Sequence, residues 1–353
     1  MPQNQDQQPP VGHATMTDVA RMAGVSLKSV SRVINNEPHV TQRLREKVEA
    51  AIAALHYVPD TAARSLAGAR SFTIGVLFDN PSPNYTMKVL SGAYRACVER
   101  QYHLRIDSID STADPDRLRQ MLDALLRHSR ADGFVLSPPL TDVPQLLDAL
   151  EQRGVRYARL APYYAPERSM AVCIDDAAAA ARVAELLYAN GHRHFGLLNG
   201  PDSHGAAHLR RQGFMDRLAA LDASVVVSEA YGGFDFEQGI VAGLELLGGQ
   251  AGPRPTAIFA GNDDSAAGAM AAATQLGLVV PRDLSVCGFD DSWVAKAVWP
   301  YLTTVFQPIE AMAYAAARMV IERGDPPADQ RIQRLDFELI ERASVGPAPG
   351  WAG

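Results

Sequence analysis

Two groups of side chains carry most of the chemistry available to this chain. The first is Lys28, Ser29 and Arg32, on one face of a short stretch whose other face is Val30, Val33 and Ile34 at three- and four-residue spacing. Lysine and arginine donate to guanine O6 and N7, so a narrow basic helix face suits a DNA major groove. The second group is a set of short polar residues that directly follow apolar runs. Asp175 follows Val172–Ile174, Asn262 and Asp263 follow Ala257–Ala260, and Asp290 follows Leu284–Cys287. Carboxylates and amides grip adjacent hydroxyls in pairs, and Arg210 supplies a planar fork that fits a polyol or a carboxylate.

Neither group reads as catalytic. His192, His194, His204 and His208 cluster, and the last two have the four-residue spacing of helical metal ligands, but no glutamate completes an HExxH motif. No GxSxG elbow, Walker loop or cysteine pair occurs. Cys97, Cys173 and Cys287 sit singly in apolar runs, which gives neither a disulfide framework nor a zinc cluster and fits a reducing compartment. The expectation is a protein that is not an enzyme and uses no cofactor and no metal.

Three short helices are needed to present Lys28 and Arg32. Thr15 opens the first with Asp18 three residues later, the spacing of a capping box, and Gly24 ends it. Ser26 caps a second from Leu27 to about Asn35. A third runs from Thr41 to about His56 with Leu44, Val48, Ala51, Ile52 and Leu55 inward, and Tyr57-Val58-Pro59 closes it. From Ser71 the texture becomes apolar runs alternating with helical stretches, the pattern of doubly wound α/β sheets with parallel strands. The polar residues of the second group then fall at strand carboxyl ends, where such sheets bind ligands.

Charge divides along the same line. The whole chain of 353 residues carries −7, yet Thr15–Arg70 holds eight basic residues against five acids, leaving −9 on residues 71–353 once Asp6 is set aside. Only the small basic module suits nucleic acid. The polar, Pro-rich start MPQNQDQQPPVGHA reads as a disordered tail and not as an export signal, and no apolar run reaches the ~18 residues of a membrane span. A cytoplasmic protein with no membrane partner is expected.

The stretch Asp18-Val-Ala-Arg-Met-Ala-Gly24-Val-Ser26-Leu-Lys-Ser-Val-Ser-Arg-Val-Ile-Asn35 resembles the helix-turn-helix of the LacI/GalR transcriptional regulators. The similarity continues through Phe72-Thr-Ile-Gly-Val, Gly191-His-Arg-His-Phe-Gly, Gly261-Asn262-Asp263, Gly288-Phe289-Asp290-Asp291, Pro300-Tyr-Leu-Thr-Thr304 and Leu339-Ile-Glu-Arg, which match that family's periplasmic-binding-protein-like core. The resemblance implies a fold with an all-α headpiece and two Rossmann-like lobes. It implies a tail over 1–14, a helix-turn-helix domain over 15–58, a hinge helix over 59–70 and a core over 71–353. Lobe 1 would span about 71–190 and 306–331, and lobe 2 about 191–305 and 332–353.

Site residues follow from the same match. Leu27 and Lys28 would tune base preference, with Ser29 beside them, and Arg32 would also reach bases. Thr15, Ser26, Ser31 and Asn35 would lie near phosphates. In the stretch Pro59–Gly68, Ala63 and Leu66 would meet the minor groove, Leu66 as a wedge. Leu44 departs from the family's usual Thr before the position matched by Arg45. In the core, Arg210, Phe234 and Asp290 match effector-binding positions; Asp175 and Asn262 join them by following strands directly, and the loop Asp79–Tyr85 after the first strand, less standard for the family, would offer Asn80, Ser82 and Tyr85 from the first lobe. The resemblance implies a homodimer on double-stranded operator DNA that represses carbohydrate-utilisation genes and is released by a sugar-type effector. The alternative is a corepressor-dependent regulator that senses a purine or another non-sugar metabolite. A periplasmic sugar-binding protein would share the core but not the helix-turn-helix.

Overall fold

A computed structural model describes residues 14–34, 39–57, 70–128, 131–249, 253–322, 324, 327 and 330–351. The chain separates into a unit ending at Ser71 and a larger unit starting at Phe72. The proposed hinge positions Ala63 and Leu66, the phosphate candidate Asn35 and nearly all of the amino-terminal tail lie outside the described residues.

The small unit has α1 (Met16–Ala23), α2 (Leu27–Ile34) and α3 (Gln42–Leu55). The Thr15 side chain accepts from the Asp18 amide while Asp18 accepts from the Thr15 amide, so the expected capping box forms. Gly24 sits at φ 65°, the left-handed conformation that closes a helix cheaply only at glycine, and lets the chain turn into α2. Val19, Ala20, Val30, Val33, Val48, Ala51 and Tyr57 form its core. Leu44, the departure from the family pattern, is half-buried against that core.

The large unit contains two six-stranded sheets. The first has the order β11-β5-β4-β3-β1-β2, all parallel: β1 (Thr73–Phe78), β2 (His103–Ser108), β3 (Gly133–Leu136), β4 (Tyr157–Leu160), β5 (Met170–Cys173) and β11 (Ile332–Arg334). The second has the order β12-β10-β9-β8-β6-β7: β6 (His194–Asn199), β7 (Val226–Tyr231), β8 (Ala257–Ala260), β9 (Ser285–Phe289), β10 (Thr303–Phe306) and β12 (Glu338–Ile340). All its pairings are parallel except β10 with β12. Central strands such as Gly133–Leu136 and Ala257–Ala260 are buried along their whole length, as parallel strands covered on both faces must be.

Helices α4 (Pro83–Glu99), α5 (Pro115–His128), α6 (Pro144–Gln152) and α11 (Ile309–Ile321) belong to the first sheet. Helices α7 (Asp176–Ala189), α8 (Gly205–Leu221), α9 (Phe236–Gly248) and α10 (Asp263–Gln275) belong to the second. α4 lies so close to α11 that a Cβ on Gly92 would stand 2.1 Å from the Glu310 carbonyl oxygen.

Chain tracing gives three crossovers between the lobes: β5 to α7 at Ile174–Asp175, β10 to α11 at Gln307–Pro308, and β11 to β12 at Leu335–Phe337. The expected boundaries near 190 and 331–332 are therefore corrected. α7 packs on α8 and so belongs to the second lobe, while β11 extends the first sheet by pairing with β5. A Gly-His turn at 191–192 marks the entry to β6 and not a change of lobe.

Candidate functional site

On the headpiece, the side chains at the start of α2 are left to solvent because Val30 and Val33 face inward. Leu27 is 50% exposed despite being apolar, and Lys28 beside it is also exposed. Ser29 and Arg32 are half-exposed on the same helix. The Ser26 hydroxyl accepts from the Ser29 amide at 3.1 Å, capping α2 and holding its first turn rigid. Thr15 is committed to its capping box, and Arg21 is paired with Asp18 at 3.0 Å. The result is a helix whose amino-terminal end offers an apolar contact, an ammonium group and hydroxyls in a fixed order, a geometry suited to base edges and flanking phosphates.

In the core, strand carboxyl ends of both lobes converge on one cavity. Its lining includes Asn80, Ser82 and Tyr85 from the first lobe and Arg210, Phe234, Asn262 and Asp290 from the second, together with His204 and Gln307. The space open to a water-sized molecule in this arrangement is about 20 Å³.

Arg210, almost fully buried on α8, is the hub. Its Nε donates to Asp176 Oδ1 at 2.8 Å and one Nη donates to the Gly261 carbonyl at 2.6 Å. The same Nη lies 3.9 Å from Asp290 Oδ1, and the guanidinium carbon stands 3.6 Å from the Phe289 ring centroid. Asp290 follows β9 with φ 107° and its neighbour Asp291 has φ 40°, so this turn is held in the left-handed region. What holds it is visible beneath: Asp263 Oδ2 accepts from the Ser292 amide at 2.6 Å and its Oδ1 accepts from Thr304 Oγ1 at 2.5 Å. Gln307 Nε2 donates to Asp290 Oδ1 at 2.5 Å. Burial pushes the Asp290 carboxyl up to about 6 against the pull of Arg210, and pushes Asp263 up to about 8 with help from the charge of Asp290.

Phe234 also sits at φ 63°, which turns its ring over Gly200 and Gly261 as one wall of the cavity. Asn262 holds that wall by donating to the Phe234 carbonyl at 2.9 Å, while its oxygen caps α10 through the Ser265 amide. His204 meets Phe234 edge to face at 5.3 Å, and burial keeps its imidazole neutral by lowering its pKa to about 4. Its Nε2 is buried without a hydrogen-bond partner.

Seven of the eight proposed effector residues thus meet in one cavity. Asp175 is not among them: it is exposed and caps α7 by accepting from the Ala178 amide at 2.9 Å. Asp176, the next residue, turns inward to Arg210 instead. Of the other histidines, His192 is a core residue bonded to Thr256, Ser285 and the Gly346 carbonyl, and His208 bonds the Asp202 carbonyl. Among the described residues, no three His, Cys, Asp or Glu side chains converge on a metal position, and no helix is long and apolar enough to cross a membrane.

Residues 15–60 match the model of the bacterial regulatory proteins of the lacI family, and residues 184–345 match the periplasmic binding protein-like domain. The ribose operon repressor of Escherichia coli K12 is 34% identical over 94% of this chain and 100% of its own length. The chain belongs to the LacI family. Within this family, PurR of Serratia proteamaculans is also 34% identical, over 95% of this chain and 98% of its own. The lac repressor dimer bound to operator and the anti-inducer ONPF superposes with a TM-score of 0.75 at 27% identity, covering 95% of this chain and 100% of that one. As a LacI-family protein it is a DNA-binding transcriptional repressor, with a helix-turn-helix headpiece and a periplasmic-binding-protein-like core.

Three residues of this LacI-family site are not among the sequence expectations: Gln307 and His204, which line the cavity, and Asp176, which accepts from Arg210 behind it. Gln307 follows β10 directly, so the rule that selected Asp290 would have found it had Thr303–Phe306 been recognised as a strand. Asp176 was masked by its neighbour, since either of two adjacent acids can cap a helix. His204 belongs to a histidine cluster whose spacing suggests metal ligands and gives no pointer to an effector cavity.

Proposed function

We propose that this repressor is a homodimer that binds a pseudo-palindromic operator near carbohydrate-utilisation genes and is released by a small sugar. The observation that carries the sugar reading is the cavity itself. A buried carboxylate (Asp290), a buried amide (Asn262) and a fixed guanidinium (Arg210) surround a space walled by the Phe234 ring. Acceptor and donor groups of this kind satisfy vicinal hydroxyls, and an aromatic face covers the apolar side of a sugar ring. The ribose operon repressor and PurR relatives are equally similar by identity, so the lining is the better guide than the names.

Dimerisation is supported by apolar side chains left in water. Met87, Tyr94 and Val98 line one exposed face of α4, and Ile106 lies on the edge strand β2 beside it. In the second lobe, Val226 and Tyr231 are exposed on the edge strand β7, with Val241 exposed on α9. Exposed edges and apolar stripes of this size favour self-association, and twofold symmetry would place two α2 helices on two half-sites. Effector binding would fix the lobes around the ligand and lower operator affinity through a coupling of typically about 1–3 kcal/mol.

The test is operator binding by the purified full chain, titrated with D-ribose, other mono- and disaccharides, hypoxanthine and guanine. Release by a sugar is expected. Tighter binding with a purine would establish the corepressor alternative and overturn the sugar reading.

A further inference from the structure

The two lobes also touch beside the cavity, through contacts that include its lining residues Ser82 and Asp290. Asp264, in the first turn of α10, faces the amino-terminal end of α4. Ser82 Oγ donates to its Oδ2 at 2.6 Å and Asn84 Nδ2 donates to its Oδ1 at 2.7 Å. Ser82 is the N-cap of α4, accepting from the Tyr85 amide, so Asp264 grips the end of that helix directly. One turn further along the same face, Lys88 Nζ donates to the carbonyl oxygens of Asp290 at 2.8 Å and Asp291 at 3.0 Å. Those are the two residues held in the left-handed region at the effector turn.

We propose that Asp264 and Lys88 form an interlobe clasp that sets the balance between open and closed lobes, and through it effector affinity and operator release. Every bond in the clasp joins α4 of the first lobe to a loop or helix end of the second, so all four break when the lobes part. Asn84 and Lys88 are four residues apart and share a face of α4, whereas Met87, Tyr94 and Val98 occupy an exposed one. A rigid helix that is clasped on one side and carries the apolar surface on the other transmits closure to whatever that surface touches. The clasp also links the backbone of the effector turn to α4 without passing through the ligand. This inference rests on the cavity being the effector site, because only then does closure alter effector affinity.

The experiment is hydrogen–deuterium exchange on the full-length protein without ligand, comparing wild type with Asp264→Ala, Asn84→Ala and Lys88→Met. Faster exchange, by roughly tenfold, is expected in residues 82–90 and 288–292, with the headpiece unchanged, as befits loss of hydrogen bonds to a charged group. Asp264→Asn, which keeps one acceptor oxygen, should fall between wild type and alanine. Binding of D-ribose should weaken about tenfold in Asp264→Ala, and Asn84→Ala added to it should cost nothing more, because both remove the same contact. Unchanged exchange in all three variants, or effects of Asn84→Ala and Asp264→Ala that multiply, would overturn the clasp. If wild type binds no ribose, the sugar reading is at fault, and the ligand-free exchange result still judges the clasp. Asn84→Ala and Lys88→Met are half-exposed sites, so one of them remains informative should Asp264→Ala fail to fold.

Discussion

Asp290→Asn separates the work of the proposed effector site from the work of the fold. The Asp290 carboxyl is almost fully buried, and burial lifts it from its ordinary 3.8 to about 6. At pH 7.5 it is nonetheless ionised, so its charge weakens the fold by about 3 kcal/mol relative to the same group in the unfolded chain. Asparagine preserves the shape, and its oxygen still accepts from Gln307 Nε2, the bond seen at 2.5 Å. It also removes the repulsion that Asp290 exerts on Asp263. The variant should therefore unfold at higher urea, with a gain of about 1–3 kcal/mol at pH 7.5 that shrinks toward pH 5 as the wild-type carboxyl takes up its proton. Effector affinity should move the other way, because a charged acceptor facing sugar hydroxyls is worth about 1.5–3 kcal/mol, or roughly 10- to 150-fold. Urea unfolding and effector titration on the same preparation measure both. A loss of more than about 1 kcal/mol in stability would refute the electrostatic account, since the substitution neither opens a cavity nor orphans a donor. Retained effector response would refute the assignment of the site.

Other perturbations test the remaining parts. Lys28→Ala should alter preference at a base of each operator half-site, read by binding to single-base operator variants, with the unfolding midpoint unchanged because the side chain is exposed. Gly200→Ala should weaken effector binding at least about tenfold while the protein still folds, because the new methyl would stand 2.2 Å from Phe234 Cζ and a single ring can yield into the cavity. Stability should fall as pH rises from 6 to 8 in urea titrations: folded Asp263 keeps its proton up to about 8 while the unfolded carboxyl has lost it above its ordinary 3.8. Asp263→Asn should flatten that slope, and an unchanged slope would place the proton elsewhere.

Much of the architecture was written in local pattern. The capping box at Thr15 and Asp18, the left-handed Gly24 and the inward Val30 and Val33 were all readable because each depends on a few neighbouring residues. The buried strands Gly133–Leu136 and Ala257–Ala260 were readable because parallel strands covered on both faces must be apolar throughout. Strands such as Val226–Tyr231 at a sheet edge and the three-residue β11 and β12 lack that signature, and with β11 unrecognised the lobe boundaries slipped. For the site, the rule that ligands sit past strand ends found Asn262 and Asp290, but it cannot say which of two adjacent acids turns inward. Asp175 went to the α7 cap and Asp176 to Arg210 for reasons of backbone direction. Contacts between residues some 180 positions apart, such as Asn84 with Asp264, leave no trace in sequence spacing.

Two of the groups around Arg210 and Asp290 come from the crossovers themselves. Gln307 is the residue at which the second crossover leaves its sheet, and Asp176 follows the first crossover by one position. In mechanical terms an effector held in this cavity would be gripped at the fulcrum and not at the tips of the jaws. A shift too small to disturb the packing around Arg210 would be magnified with distance from that axis, so the far end of a lobe would travel further than anything touching such a ligand. Selection on effector identity and selection on the amplitude of movement would then act on the same few side chains, and a change of effector preference would carry a change in regulatory range with it.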